Sequence, residues 1–224
     1  TQGVSSAASD VYKRQDAEGR GVHTIRIEAP ENKSLPALLA PQLRLALLRL
    51  SRVEAAKDLA IRGLRGLAGF AKRLKVSFAD IEVGFDYEPE PGLADNGDLE
   101  GDLAALLEQV GRAAQAADTV VAMFIDELQY VAEDQLAALI SALHRCAQQK
   151  LPVTLVGAGL PQLRGRMGEA KSYAERLFNF SEIGALSRGD ASSAITLPAK
   201  EEGVEIEPAA VDAIITETLS LIHI

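Results

Sequence analysis

Residues His23–Glu28 (HTIRIE) alternate between polar and apolar, the period of a half-buried strand, and the run stops before Pro30. From Ser34 the period lengthens. The stretch LPALLAPQLRLALLRLSRVEAAKDLAIRGLRGLAGFAKRL carries leucines at helical spacing, and Pro41 either divides it or starts a second helix. IEVGFDY, Ile81–Tyr87, reads as a short strand. EPEPGLADNGD is a turn-rich loop that closes on Asp98, a good helix cap. Leu99, Leu103, Leu106, Leu107 and Val110 then share one face of a helix.

Thr119–Ile125 (TVVAMFI) is apolar without interruption and bounded by Asp118 and Asp126, the pattern of a central parallel strand buried on both faces. A helix with Leu136, Leu139, Ile140 and Leu143 on one face follows, stopping at Lys150 before Pro152. PVTLVGAGL is a second buried strand running into a Gly-rich turn. Strand, helix, strand makes a parallel crossover and predicts an α/β architecture with helices on both faces of the sheet. Beyond it come a polar stretch, a short helix around Lys171–Leu177 and a short strand at Phe178–Ile183. Ser187 starts a helix that breaks or ends near Pro198, and Pro208 opens another with Val211, Ile214 and Ile215 apolar.

The composition agrees with a packed protein: 47% of the 224 residues are hydrophobic and 25% charged, which excludes a disordered or collagen-like chain. With 4% aromatics and no Trp, the core falls to Leu, Ala, Ile and Val. No apolar run reaches the ~18 residues of a membrane span, and a lone Cys146 suits a reducing compartment, so the expected location is cytoplasmic. A net charge of -9 argues against wholesale coating of nucleic acid. Locally the charge is segregated. Nine basic residues between Arg44 and Lys75 meet only Glu54 and Asp58, whereas Val76–Val110 holds ten acidic residues and no Lys or Arg. The basic stretch reads as a solvated face or as a contact for nucleic acid or an acidic partner. The acidic residues match no calcium loop and read as a solvated face that complements the basic stretch.

The two ends carry a relation that belongs to DNA. Asp10–Gln15 (DVYKRQ) can be encoded GAT GTG TAT AAG AGA CAG, whose reverse complement translates as LSLIHI, the hexapeptide Leu219–Ile224. Such a relation is expected of a sequencing adapter ligated at both ends of a fragment, and the upstream SSAAS extends the resemblance to a library adapter. Residues 1–15 and 219–224 are therefore expected to be adapter-derived, and residues 16–218 to be a fragment of a longer protein.

Candidate chemistry concentrates in VVAMFIDE, Val120–Glu127, which places two adjacent carboxylates at the carboxyl end of a buried strand, where open α/β sheets bind ligands. In a nucleotide hydrolase Asp126 would hold Mg²⁺ and Glu127 would orient the attacking water. Alternatively the pair caps the next helix and complements its dipole.

DELQ after an apolar strand, LPVTLVGAGLPQL, SYAERLFNFSEIGALS and PAKEEGVEIEP, with ADNGDLEGDL upstream, resemble AAA family ATPases of the additional-strand P-loop class. They are similar in particular to bacterial ATP-binding proteins related to origin-recognition and signal-transduction ATPases. The resemblance implies a three-layer P-loop NTPase-type parallel sheet, incomplete here, over residues 16–186, followed by the start of a helical lid at 187–218. It implies ATP and Mg²⁺ as ligands, and ATP hydrolysis coupled to conformational change in the intact parent. Asp126 becomes the magnesium-associated acid and Glu127 the catalytic base of a Walker B strand. Val153–Ala158 matches the sensor-1 strand, although its tip, Gly157-Ala158-Gly159, lacks the usual polar residue. Arg176 stands about where related ATPases place an arginine that reaches a γ-phosphate; an ion pair with Glu175 or Glu182 is the other reading. Gln129, just beyond the acids, reads as a helix-start residue rather than a sensor.

The phosphate-cradling loop GxxxxGK[ST] occurs nowhere in the 224 residues. In the resembled family it precedes the strand equivalent to His23–Glu28. The family's sheet order, 5-1-4-3-2, would place the lost strand in the middle and leave unpaired edges beside it. The fragment itself is then expected to be inactive. A signalling switch or scaffold that holds ATP, with self-association or an effector domain, and a DNA-associated initiator-like module are the alternative functions. His144 and Cys146, two apart on a helix, share no face and read as packed or solvated. Resequencing the source locus from intact DNA is expected to return neither terminal hexapeptide; finding their codons in the genome would overturn the adapter reading.

Overall fold

The structure is a computed structural model, and it describes residues 21–31, 33–73, 87–181 and 184–218. The described residues up to Phe180 form one compact unit, and the described residues beyond it belong to a second.

In the larger unit, strand β1 (His23–Glu28) buries Ile25 and Ile27 and exposes Arg26 and Glu28, as its alternation predicts. Helix α1 (Leu35–Leu50) begins after Ser34 and turns Leu39, Leu43, Leu47 and Leu50 into the core. Pro41 neither divides this helix nor starts another. Proline removes one backbone hydrogen bond and costs about 3 kcal/mol inside a helix. Each fully buried leucine returns about 1.5–3 kcal/mol, so the continuous apolar face carries the helix through. The break falls instead at Ser51–Val53, where a 3-10 turn (Glu54–Ala56) redirects the chain into helix α2 (Lys57–Arg73). α2 packs through small residues: a Cβ at Gly63 would stand 2.8 Å from Leu47 Cδ2, and one at Gly66 3.0 Å from Leu93 Cγ. The strand expected at Ile81–Tyr87 lies, apart from Tyr87, outside the described residues.

Helix α3 (Leu99–Ala116) is capped as expected, with Asp98 accepting hydrogen bonds from the Glu100 and Gly101 amides at 3.3 and 3.1 Å. Its Leu103, Leu106, Leu107 and Val110 are buried, and it packs against α1, α2 and helix α4 (Glu133–Gln148). The acidic stretch is not simply a solvated face. Asp102 is 3% exposed and accepts from the amides of Asn96 (3.0 Å) and Gly97 (2.9 Å), which folds the acidic loop back on α3. Glu108 is 7% exposed and ion-paired with Arg145 (2.6 Å) and Arg112 (3.5 Å), although its Oε1 lacks an aligned hydrogen bond. The Arg62–Glu90 pair, 3.0 Å apart, joins the basic stretch to the acidic one as expected.

Strand β2 (Val121–Asp126) is buried from Val121 to Ile125 and lies between β1 and strand β3 (Val153–Gly157), all parallel. α4 buries the expected Leu136, Leu139, Ile140 and Leu143; Lys150, just beyond it, adopts a left-handed backbone with φ 55°. β3 is less buried than its apolar sequence predicts: Thr154, Val156 and Gly157 are exposed. It is the edge of the described sheet, with β2 along one side and α3 and α4 against it.

Among the described residues, helices α1, α3 and α4 gather on one face of the sheet, where helices were expected on both. α1 touches β1, α3 touches β2 and β3, α4 touches β3, and these helices touch one another. Their shared core includes Ile25, Ile27, Val121, Met123 and Ile125, the alternate residues of the strands. The sheet order explains this: β1 to β2 and β2 to β3 step in the same direction, and connections of one handedness then fall on one side.

Helix α5 (Leu163–Ala170) occupies the stretch read only as polar, and buries just Leu163 and Met167. Helix α6 (Ala174–Leu177) follows. Phe178–Ser181 form no strand; Phe178 and Phe180 pack on the core without a ladder partner, and Glu182 and Ile183 lie outside the described residues.

In the second unit, helix α7 (Arg188–Glu201) starts at Ser187, whose hydroxyl accepts from the Asp190 amide at 3.2 Å, and ends one turn after Pro198. Helix α8 (Pro208–Thr218) buries Val211 and Ile215 against Ala191, and Arg188 pairs with Asp212 at 2.7 Å. Among the described residues no helix is long and apolar enough to cross a membrane. Leu107→Ala, at the junction of α3 with the core, is expected to cost about 2–5 kcal/mol; urea unfolding should show a lower midpoint at an unchanged slope.

Candidate functional site

The alternation of β2 turns Ala122, Phe124 and Asp126 away from the helices, and Asp126 is the last residue of the strand. Its register partner on β1 is Glu28, so a second carboxylate stands abreast of it on the same sheet face. Sequence reasoning missed Glu28, yet the signal was present: an acid closing an alternating strand.

Glu127 leaves the strand in a left-handed conformation, φ 58° and ψ 33°, uncommon for a residue with a Cβ. Its amide donates to Asp126 Oδ1 at 2.9 Å, which ties the two acids together. The next residues form a 3-10 turn, Leu128–Tyr130, and not the start of a long helix. Gln129 in that turn is 6% exposed, donates to Glu127 Oε2 and accepts from the Leu160 amide at 3.1 Å. Arg166 on α5 donates to the carbonyls of Gln129 and Val131, the latter at 2.9 Å. Gln129 was read only as a helix-start residue and Arg166 escaped the sequence reading, because Leu160 lies 31 positions from Gln129 and the partners of Arg166 lie 35 and 37 positions from it.

The tip of β3 closes the site from the other side. Ala158 donates to the Ile125 carbonyl at 2.9 Å and accepts from the Leu128 amide at 3.1 Å. A Cβ on Gly157 would collide with Leu128, and one on Gly159 would lie 2.7 Å from Gln129 Oε1. The tip is therefore glycine-rich because the turn after the acids occupies its space.

Arg176, on the four-residue α6, is exposed and makes no ion pair among the described residues; Glu175 pairs instead with Arg164 at 3.4 Å. Asp126 and Glu127 are thus brought together, whereas no hydrogen bond or ion pair links Arg176 to them. Cys146 is buried, and burial foremost, with the Glu108 charge beside it, pushes its thiol up to about 12, leaving it unreactive. His144 stacks near Tyr173, ring centres 4.7 Å apart. Elsewhere, Lys171 grips both Glu100 oxygens at 2.8 and 2.9 Å. That hydrogen bond holds the Glu100 carboxyl below its usual range and the Lys171 amine above its own.

The donor set suits magnesium. Mg²⁺ typically takes one or two carboxylates and fills its remaining positions with water and phosphate. Asp126 and its register partner Glu28 offer two carboxylates side by side, and no group of three candidate ligands gathers among the described residues. The chain matches no known protein family, no curated protein and no solved structure.

Because Glu127→Gly and Glu127→Ala both remove the carboxylate and differ at a left-handed position, the glycine variant should be the more stable by about 1 kcal/mol. Paired denaturant melts measure the difference, and an alanine variant of equal or greater stability would contradict the strain.

Proposed function

We propose that this chain carries the acidic half of an ATP-hydrolysing site, of the AAA type that its motifs resemble. The observation that carries the reading is the Asp126–Glu127 pair at the carboxyl end of the central parallel strand, facing the tip of the next strand. Glu127 orients a water and draws its proton toward the carboxylate as the water attacks. Asp126, with Glu28 alongside, would hold Mg²⁺. Bound magnesium supplies charge neutralisation at the nucleotide phosphates. Arg176, exposed and without an ion-pair partner among the described residues, is available to a γ-phosphate.

The sheet supports the same reading. Its order β1-β2-β3, with helices on one face, corresponds to strands 2-3-4 of a 5-1-4-3-2 sheet. The outer edge of β3 is where the strand leading into a phosphate loop would pair. No GxxxxGK[ST] lies in these 224 residues, so on this reading the loop comes from polypeptide outside them. The second unit, with α7 and α8, corresponds to the start of a lid whose movement follows the nucleotide. A nucleotide-held switch with little turnover is the second reading, favoured by the absence of a polar side chain at Gly157-Ala158-Gly159.

The chain alone is expected not to bind ATP, and micromolar Mg²⁺-dependent binding of labelled ATP to it would refute the missing-loop premise. In a longer protein that includes the loop, Glu127→Gln should retain ATP while losing about 10²–10⁴-fold in turnover. Undiminished turnover would reject Glu127 as the base, and a wild type that binds without turnover would leave the switch.

A further inference from the structure

A buried polar side chain in a core of leucines demands a reason, and Gln129 has partners at both ends of its amide. Leu160 N–H can only donate, so the atom facing it is the carbonyl Oε1, and this settles the orientation of the amide. The NH₂ group must then face Glu127, and it can only donate. Its partner must be an acceptor, which an ionised carboxylate is at every lone pair. One side chain therefore runs from the carboxylate after β2 to the backbone after β3.

The surroundings preserve that path. Arg166 holds the carbonyls of Gln129 and Val131, which fixes the turn that carries the amide. Gly159 leaves the space into which the amide reaches, since a Cβ there would stand 2.7 Å from Oε1 and 2.9 Å from Leu163 Cδ2. The β3 tip presents no polar side chain of its own to the acids; Gln129 supplies a polar group there from the neighbouring turn.

We propose that Gln129 is a positioning residue of the acid site: its Nε2 orients the Glu127 carboxylate, and its Oε1 anchors that carboxylate to the turn between β3 and α5. The catalytic part of this role rests on the ATPase reading; the anchor itself does not. Movement of the β3–α5 turn at Leu160 is thereby transmitted to the Glu127 side chain through the Gln129 amide.

The anchor is tested on the 224-residue chain by NMR. Gln129→Met keeps the length of the side chain and removes both hydrogen bonds, and Gly159→Ala displaces the amide from the opposite side. In each, the Leu160 amide should exchange about five- to tenfold faster while distant amides on α3 keep their rates. Unchanged exchange at Leu160 in a folded Gln129→Met chain overturns the anchor. Should that variant not fold, unchanged exchange at Leu160 in Gly159→Ala overturns it in the same way.

The positioning role is tested in a longer protein that includes the phosphate loop. Gln129→Met should lower kcat by about 10- to 100-fold with KM little changed. Gln129→Glu separates positioning from mere packing. Its ionised form repels Glu127, whereas its neutral form again donates a hydrogen bond, so activity should be poor at alkaline pH and recover as the pH falls. Full activity of Gln129→Met, or a loss in Gln129→Glu that ignores pH, overturns the positioning role. A wild type that binds ATP without turnover, while Leu160 responds as expected, rejects hydrolysis and upholds the anchor.

Discussion

Strand β2 is hydrogen-bonded on both edges, and the larger unit is arranged around that fact. Pairing with β1 on one side and β3 on the other places Val121, Met123 and Ile125 in the middle of the sheet, where α3 can close over them. Because the strands are parallel and step in one direction, their connections must cross on one side, and α1 to α4 accumulate there into a single core. The same arrangement delivers the last residues of β2 to an end of the sheet where neighbouring strands also terminate. Glu28, Asp126 and the β3 tip meet there because register leaves them nowhere else to go.

Polar groups taken into this core are held by named partners. Asp102 satisfies the loop that precedes α3, Glu108 ties α3 to α4 through Arg145, and Gln129 joins two turns across the end of the sheet. A buried carboxylate or amide without partners costs several kcal/mol, so each of these contacts specifies one arrangement of its segments and penalises others. Gln109 is the exception: its side-chain carbonyl is buried with no protein partner among the described residues. The acid site gains rigidity from the same principle, since the Glu127 backbone, the Gln129 amide and the Arg166 guanidinium constrain one another.

Much of the framework was legible along the chain. The alternation of HTIRIE, the unbroken apolar run of β2, the Asp98 and Ser187 caps and the proline at the start of α8 each act on residues within one turn or one strand of themselves. The acid pair was legible for the same reason, being two adjacent residues at a strand end. α5 was not, because its buried face amounts to Leu163 and Met167 alone. Pro41 misled, since the cost of a proline is local while the leucine face that offsets it is spread along sixteen residues. The strand looked for at Phe178 failed because apolar residues can be buried by packing without a ladder.

What the sequence determined by itself was therefore most of the local elements in the larger unit and the placing of two carboxylates where one of them ends. Tertiary structure decided which acids are buried, how exposed β3 remains, on which face the helices lie, and what holds Glu127. The Gln129–Leu160 hydrogen bond spans 31 positions and the Arg166–Gln129 bond 37, distances over which no periodicity or capping rule acts. Such contacts arise only once the strands have paired, when the sheet brings together segments that the chain keeps apart.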